Sequence, residues 1–291
     1  MILYIAILLF GGVLTRIAAR KSKHSKVIYT AHGFHFYKGA PKRNWILYYP
    51  IEKILARNTD VLITINNEDY NIAKRKFKTK KIYKFDGVGV DESKFNTKEK
   101  INREEYLKEI SLKKKDYVFL SIGELNENKN QIMQLNAMKI VVKKCPNARL
   151  LIAGDGCLKS FYYNYIYEND LENCVRLLGY RKDISKILKC VDCVISTSKR
   201  EGLPVNLIEA MFCNKPIIAS NIRGNIDLID DESVFSLDDV DELAKKMTNN
   251  IEENKIMQNY DIEKYKIENI LRKYEFIYNE FEKEYEKGCE D

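Results

Sequence analysis

Short apolar runs alternate with longer segments of helical apolar spacing along the second half of this chain. The runs predict strands at 117–122, 149–153, 175–178 and 193–196, and the longer segments predict helices at 131–144, 158–168 and 184–190. Each of these strands is followed by a helix or a polar loop. The pattern therefore predicts an α/β fold with a parallel sheet covered on both faces.

The first part of the chain shows a weaker version of the same alternation. Strands are predicted at 27–30 and 61–65 and helices at 48–58 and 68–77, before a polar run that ends near Arg103. We read that run as a linker between a first domain over 1–95 and a second domain over 96–260. Residues 261–291 are predicted to form a charged helix.

The stretch from Ser196 to Ser220 predicts a strand, a loop, a helix and a strand. Gly202 is expected to free the loop backbone, and Pro204 stands where the first residue of the helix should be. Leu203 and Val205 complete this helix start, whose unpaired N–H groups and dipole point into the loop. The pattern predicts a phosphate site.

Two carboxylates bracket this helix start, Glu201 in the loop and Glu209 within the helix, with seven residues between them. Glu201 can reach a polar group held above the helix start, and Glu209 can accept hydrogen bonds from hydroxyls beside the helix. A diphosphate with a sugar on each side fits both carboxylates. The alternative is a surface helix with two solvated acids.

A second candidate phosphate contact follows the strand 117–122. Gly123 lets a ligand approach the backbone, and Lys129, before the next helix, can neutralise a diphosphate. The alternative for Lys129 is a structural lysine at the surface.

A histidine follows the strand 27–30 in the first domain. His32 sits where doubly wound sheets place their ligands, and His35 completes an H-x2-H spacing that could bind a metal. No third ligand is evident, so we expect no metal; His32 lines an active site or is a hydrogen-bonded structural residue, and His35 is structural.

The net charge limits the classes of binding partner, and the positions of the cysteines indicate the redox environment. The net charge of +7 suits anionic partners such as sugar nucleotides, lipid phosphates or a membrane surface, and no recognition motif for nucleic acid is present. The basic end of the helix 68–77 is a solvated face or a phospholipid-facing patch. Cys190 and Cys193 fall at buried positions, so reduced thiols and a cytoplasmic location are expected.

The segment Glu201-Gly202-Leu203-Pro204, followed by Glu209-Ala210-Met211, resembles the E-x7-E motif of the family 4 retaining glycosyltransferases. The resemblance runs from Gly11 to about Lys287 and implies the GT-B fold, with two Rossmann-like domains. It also implies that the N-terminal domain over 1–95 is incomplete and that the last helix, 261–291, braces back against it. It implies that Glu201 contacts the donor sugar, that Glu209 contacts the nucleotide ribose, and that His32 lies near the reacting sugar. Lys129 matches the lysine of the family's Gly-Arg-Leu loop, where this chain has Gly123-Glu124-Leu125, and Gly179 matches a loop that holds the base.

This resemblance predicts transfer of a sugar from a UDP-sugar to a lipid-linked or polysaccharide acceptor, with no metal or other cofactor, at the inner face of the cell membrane. Three alternatives stay open. A non-catalytic remnant would bind UDP-sugar without transfer, an epimerase of the same fold would interconvert free UDP-sugars, and a membrane-anchored binding protein would insert residues 1–14 into bilayers.

The residues before Gly11 are apolar but fit neither a membrane anchor nor a secretory signal. Leu3 to Phe10 have possible codons that, read two bases later, encode Ile-His-Cys-His-Thr-Pro-Ile, which resembles the family's usual sequence at this point. We therefore hypothesise that one inserted base shifts the frame before Gly11 and that the first β-α units of the N-terminal domain are missing.

Overall fold

The computed structural model describes residues 2–7, 9–20, 25–95, 101–253 and 260–287. The chain divides into two compact units, the first containing Met1–Gly89 with Glu263–Asp291 and the second containing Val90–Ile262. The sequence placed these boundaries a few residues away, at 95/96 and 260/261. The whole polar run 91–103 belongs to the second unit.

The first unit contains a parallel sheet whose described strands pair in the order β1-β2-β3-β4. They are β1 (Ile2–Ile7), β2 (Ser25–Ala31), β3 (Val61–Thr64) and β4 (Lys81–Lys84). The connecting helices are α1 (Leu9–Ala19), α2 (Lys42–Leu55) and α3 (Asn67–Lys76), with a 3-10 turn at Ala56–Asn58. The patterns predicted β2, β3, α2 and α3, but not β1, α1 or β4.

Apolar side chains cover both faces of this first sheet, as in parallel sheets generally. On one face Tyr29 and Leu62 pack with Phe34, Phe36 and Phe77. On the other face Ile28, Val61 and Ile63 pack against the last helix of the chain, α10 (Ile267–Lys287), through Ile270, Ile277 and Phe281. A 3-10 turn at Glu263–Tyr265 precedes α10. The terminal helix thus belongs to the core of the first unit.

The second unit contains a parallel sheet whose described strands pair in the order β10-β9-β8-β5-β6-β7. They are β5 (Tyr117–Ile122), β6 (Ala148–Ala153), β7 (Val175–Gly179), β8 (Cys193–Ser196), β9 (Ile217–Ser220) and β10 (Val234–Phe235). The apolar runs predicted the strands β5 to β8 to within a residue or so, and the stretch from Ser196 to Ser220 predicted β9.

The helices of the second unit are α4 (Arg103–Glu109), α5 (Gln131–Lys144), α6 (Lys159–Glu168), α7 (Ile184–Cys190), α8 (Val205–Phe212) and α9 (Val240–Glu252), with 3-10 turns at Glu92–Lys94 and Asp231–Ser233. The core lies between the sheet and α5, α6 and α9. Cys190 and Cys193 are fully buried. The helix α4 begins at Arg103, where the run read as a linker ends, and its Tyr106 and Leu107 are buried.

Candidate functional site

The strand order of the second sheet places two loops side by side. From β5 the chain moves outward to β6 and β7, then returns to the other side of β5 for β8, β9 and β10. The order therefore reverses between β5 and β8, and ligands of doubly wound sheets bind at the carboxyl ends of strands beside such a switch point. The loop 123–130 follows β5, and the loop 197–204 follows β8.

The loop after β5 brings Lys129 across the strand end. A Cβ atom at Gly123 would lie 3.1 Å from Cε of Lys129, so the absence of a side chain at Gly123 leaves room for the lysine stem. Asn126 fixes the loop by accepting a hydrogen bond from the Lys129 amide at 2.9 Å. Asn130, in the left-handed conformation with φ 54°, then caps α5.

Lys129 and Glu201 meet at this switch point. Nζ of Lys129 donates to Oε1 of Glu201 at 2.6 Å, and both side chains are largely buried, with exposures of 23% and 15%. An ammonium group has three donors. Lys129 can therefore keep its bond to Glu201 and still donate to phosphate oxygens.

Backbone bonds hold the two loops together beneath this pair. The hydroxyl of Thr197 donates to the carbonyls of Lys129 and Asn130, both at 2.9 Å. The Lys199 amide donates to the Asn128 carbonyl at 2.7 Å, and the Asn128 side chain donates to the carbonyl of Arg200 at 3.0 Å. The Lys129–Glu201 pair thus lies on a fixed base.

The start of α8 completes the site. Pro204 is the residue just before the first helical one, with φ −76° and ψ 114°, and no side chain caps the helix. The amides of Val205 and Asn206 have no acceptor among the described residues, whereas those of Leu207 and Ile208 bond to the Pro204 carbonyl. The sequence placed Pro204 one position later, inside the helix. The predicted free N–H groups are nevertheless present, and they suit a phosphate.

The loops at the switch point pack closely at glycines other than Gly202, the glycine that the sequence predicted to free the loop backbone. Gly202 is not one of the glycines with positive φ; Gly224 is, at 82°, and a Cβ there would lie 2.5 Å from the Gly202 carbonyl oxygen. A Cβ at Gly154 would lie 1.9 Å from the Gly123 carbonyl oxygen. Gly154 and Gly224 therefore let neighbouring loops approach, and their role depends on contacts that sequence spacing does not reveal.

Glu209 lies one turn into α8, partly buried, and no hydrogen bond or ion pair is formed by its carboxylate among the described residues. Burial raises its pKa above the ordinary value of 4.5, an effect that the positive charge of Lys94 reduces. A partly buried carboxylate without a donor is a ready acceptor for hydroxyl groups.

Gly179 ends β7, which two strands, β5 and β6, separate from β8 in the sheet order. It has φ 67°, its carbonyl accepts from the Gly154 amide at 2.8 Å, and nothing lies within 4 Å of the position of a Cβ. The neighbouring Tyr180 is largely exposed. Gly179 therefore borders open space at the carboxyl edge of the sheet.

His32 belongs to the first unit, where it follows β2. It is half-buried and lines a cavity of about 200 Å³ together with Tyr29, His35, Tyr48 and Glu52. Burial lowers its pKa below 6.5. A neutral imidazole is therefore its form near neutral pH.

A buried ion pair lies beside this cavity and was missed from the sequence. The Arg16 guanidinium donates to both oxygens of Glu52, at 2.8 and 3.0 Å, and Tyr29 Oη donates to the same carboxylate at 3.3 Å. The side chains of Arg16 and Glu52 are 1% and 2% exposed. In the sequence, Arg16 was considered only as one of the basic residues that follow the apolar start. The helical spacing of the residues around it was the available signal for a buried position.

Asn206 was also missed. Its side-chain amide donates to the Ile122 carbonyl at 2.7 Å, which ties the first turn of α8 to the end of β5. Its position in the first turn of a predicted helix was the available signal, since Asn there bonds to nearby backbone.

Two units, each a parallel sheet covered by helices, define a protein of the GT-B class of folds. Within that class, the chain belongs to the family described as glycosyl transferases group 1, whose family model matches residues 102–267, more than half of the chain. Residues 2–66 match a second family model, described as glycosyl transferase 4-like.

Curated relatives agree with this family. The chain is 39% identical over 227 residues to EpsD of Bacillus subtilis, a protein with a provisional glycosyltransferase name, covering 76% of this chain and 59% of EpsD. It is 34% identical over 243 residues to UDP-Gal:α-D-GlcNAc-diphosphoundecaprenol α-1,3-galactosyltransferase of Escherichia coli, covering 79% of this chain and 61% of that enzyme. The chain thus spans about three fifths of the length of these relatives.

Solved structures show the same fold. Alr3699/HepE of Anabaena in complex with UDP superposes with a TM-score of 0.76 at 19% identity, covering 87% of this chain and 70% of that one. Sucrose-phosphate synthase of Thermosynechococcus elongatus gives a TM-score of 0.79 at 16% identity, covering 96% and 73%.

The described helices include none with the length and apolar character needed to span a membrane.

Proposed function

We propose that this chain serves a retaining glycosyltransferase that moves a sugar from a UDP-sugar to a lipid-linked or polysaccharide acceptor in the synthesis of cell-surface glycans. The observation that carries the proposal is the Lys129–Glu201 pair, which lies at the switch point where the α8 start leaves the Val205 and Asn206 amides without acceptors. The name of the Escherichia coli relative, with its UDP-Gal donor and diphosphoundecaprenol acceptor, supports the choice of substrates.

The donor diphosphate is placed between Lys129 and the first turn of α8. Lys129 and the free amides carry positive charge toward the leaving phosphate, as electrostatic catalysis requires. Gly123 and Gly202 leave the backbone open to it, Leu203 and Pro204 shape the helix start, and Gly179 borders the base. The proposal assigns no metal or other cofactor, because these groups can neutralise the diphosphate.

The two glutamates then take the sugars on either side of the diphosphate. Glu201 orients the donor sugar while paired with Lys129, and Glu209 accepts hydrogen bonds from the ribose hydroxyls. Because Glu209 has no donor of its own, ribose hydroxyls supply the hydrogen bonds that its partly buried carboxylate lacks.

We place the reaction on one face of the donor sugar. The bond between the anomeric carbon and the phosphate oxygen breaks, a bond to the acceptor oxygen forms on the same face, and the departing phosphate oxygen takes the acceptor proton. UDP leaves, and the configuration is retained. His32, neutral near pH 7, is proposed to stabilise the reacting sugar. We also propose peripheral association with the inner face of the membrane, where a lipid-linked acceptor resides.

The test is transfer from radiolabelled UDP-sugars to lipid-diphosphate acceptors, with the wild-type chain and Glu201→Ala. We expect Glu201→Ala to abolish transfer while circular dichroism and the melting temperature change little. Unchanged turnover would remove Glu201 from the mechanism. UDP binding without transfer by the wild type would favour a binding remnant, and interconversion of free UDP-sugars would favour an epimerase.

A further inference from the structure

The helix α2 (Lys42–Leu55) of the first unit is apolar on two opposite faces. Its inner face buries Leu55 and Glu52. Its outer face exposes Ile46 at 76%, Leu47 at 56% and Ile54 at 60%. A helix at the surface of a globular domain normally carries polar side chains on its outer face.

The outer face is a continuous strip along the helix. Arg43, Ile46, Leu47, Pro50 and Ile54 recur at spacings of three and four residues, which places them on one side of an α-helix. All five are exposed. We call these five residues the outer strip of α2.

Positive charge surrounds the outer strip. The exposed charged side chains of residues 38–57 and 67–76 are all basic, namely Lys38, Lys42, Arg43, Lys53, Arg57, Lys74, Arg75 and Lys76. The acids in these ranges are withdrawn from the surface. Glu52 is buried against Arg16, Asp69 is fully buried, and Glu68 is only half-exposed and accepts a bond from the Lys38 amide.

A groove of about 700 Å³ runs beside the outer strip, between α2 and α3. Trp45 and Tyr49 of α2 and Ile72 of α3 line it. Its charged lining residues are Lys38, Arg75 and Lys76, with the half-exposed Glu68 as the one acid. Trp45 is 36% exposed and donates its indole N–H to the Tyr37 carbonyl at 3.2 Å. Aromatic side chains with one polar end and one apolar end are typical of membrane interfaces.

We propose that the outer strip of α2 is a docking surface for an anionic phospholipid bilayer, with its apolar side chains in the headgroup region and the surrounding lysines and arginines on lipid phosphates. This rests on the peripheral membrane association proposed above and names its surface. An apolar strip with basic flanks and no exposed acid is complementary to an anionic bilayer, since burial of the apolar residues and attraction of the charges act together. From the sequence, the basic end of α3 was read as a solvated face or a phospholipid-facing patch, and the outer strip of α2 was not considered.

The only tryptophan of the chain is Trp45, which gives a reporter on the surface itself. We would titrate the full chain with vesicles of phosphatidylcholine alone, and with vesicles of three parts phosphatidylcholine to one part phosphatidylglycerol. We expect sedimentation with the anionic vesicles, a blue shift of Trp45 emission, and quenching of that emission by brominated acyl chains. The affinity for vesicles of phosphatidylcholine alone should be lower by roughly tenfold or more. Added salt should release the chain from the anionic vesicles.

Paired variants separate the contributions. Ile46→Ser with Ile54→Ser removes apolar area, and Arg43→Glu with Lys53→Glu reverses charge; each pair should weaken vesicle binding by roughly tenfold or more. Leu271→Ser with Phe276→Ser, on the exposed side of α10, is the control for the first pair. Lys108→Glu with Lys245→Glu, on exposed positions of the second unit, is the control for the second. Both controls should bind as the wild type does.

Several outcomes would overturn the proposal. Vesicle binding with an unchanged Trp45 spectrum, or equal losses in the controls, would leave peripheral association standing but place it on another surface. No binding to either kind of vesicle would contradict both the peripheral association and its assignment to the outer strip. A blue shift that depends on protein concentration without vesicles would identify the outer strip as a contact between copies of the chain. UDP binding, measured alongside, should be unaffected by either α2 pair.

Discussion

Glu209 shows how a binding residue can oppose stability. Its partly buried carboxylate forms no hydrogen bond among the described residues, and burial raises its pKa above 4.5. A group whose pKa is raised in the folded state binds protons more tightly there, so its charged form costs stability as the pH rises through that value. The charged carboxylate of Glu209 therefore lowers the stability of the protein by itself. A ligand that donates a hydrogen bond to this carboxylate would offset that cost.

We expect Glu209→Gln to raise the melting temperature at pH 7 and to weaken UDP binding by roughly ten- to a hundredfold, the usual effect of losing a charged hydrogen bond. The gain in melting temperature should fade as the pH falls below 4.5, because the wild-type carboxyl is then protonated in both states. Thermal melts from pH 4 to 8 and UDP titrations measure both effects. A lower melting temperature at pH 7 would show that the carboxylate has a stabilising partner.

At the residue scale, sequence alone singled out Lys129, Glu201 and Glu209, because each stands beside a glycine or helix start whose chemistry is local. It did not reveal that Lys129 and Glu201 pair at 2.6 Å. That contact depends on β8 lying next to β5, which is a property of the strand order and not of either segment. The close contacts of Gly154 and Gly224 could not be predicted for the same reason, since their partners are distant in sequence.

At the element scale, Gly154 controls how closely the ends of β5 and β6 approach. A Cβ there would lie 1.9 Å from the Gly123 carbonyl oxygen, so Gly154→Ala must displace the strand end that supports Lys129. We expect it to lower the free energy of unfolding by about 1–3 kcal/mol and to weaken UDP binding. Denaturant unfolding and UDP titration are the measurements.

Gly39→Ala is the control for this prediction. Gly39 has φ 92°, so alanine is strained there, but nothing lies within 4 Å of its Cβ position and the residue belongs to the first unit. It should cost about 1–2 kcal/mol through backbone strain, with UDP affinity unchanged. Equal UDP affinity in Gly154→Ala and wild type would contradict the role of this contact.

The Arg16–Glu52 pair joins α1 to α2 in the first unit. Both side chains are almost fully buried, and removing one member leaves an uncompensated charge. We expect Arg16→Met to lower the free energy of unfolding by about 3–5 kcal/mol, and Arg16→Met with Glu52→Leu to recover much of that loss. Recovery will be incomplete because Tyr29 also bonds to Glu52. Denaturant titration of both variants measures this, and a single variant as stable as wild type would show that Glu52 finds another partner.

The elements that sequence patterns missed share a physical cause. β4 is an edge strand with a lysine at each end and only half-buried residues, so it lacks a long apolar run. α4 buries only Tyr106 and Leu107 within a polar stretch. β1 lies in an apolar run that strands, anchors and leader segments share. Strands buried on both faces, such as β5 and β8, were predicted because burial forces a continuous apolar run.

At the scale of the whole molecule, both units are parallel sheets covered by helices, and their strand-helix alternation was readable from the sequence. The sequence pattern shows less clearly which unit contains the last helix. The periodicity of this helix identifies its apolar side but not the sheet against which that side packs. In the structure Ile270, Ile277 and Phe281 pack on the first sheet.

The central claim is that the switch point of the second sheet binds a nucleoside diphosphate through Lys129 and the start of α8. Calorimetric titration of UDP into the wild-type chain, Lys129→Ala and Lys159→Ala tests it most directly. Lys159 forms an exposed pair with Asp155 at 2.9 Å on the same unit and is the matched control. We expect the wild type and Lys159→Ala to bind UDP equally and Lys129→Ala to bind roughly ten- to a hundredfold more weakly. Equal affinity of all three, or no UDP binding by the folded wild type, would contradict the account.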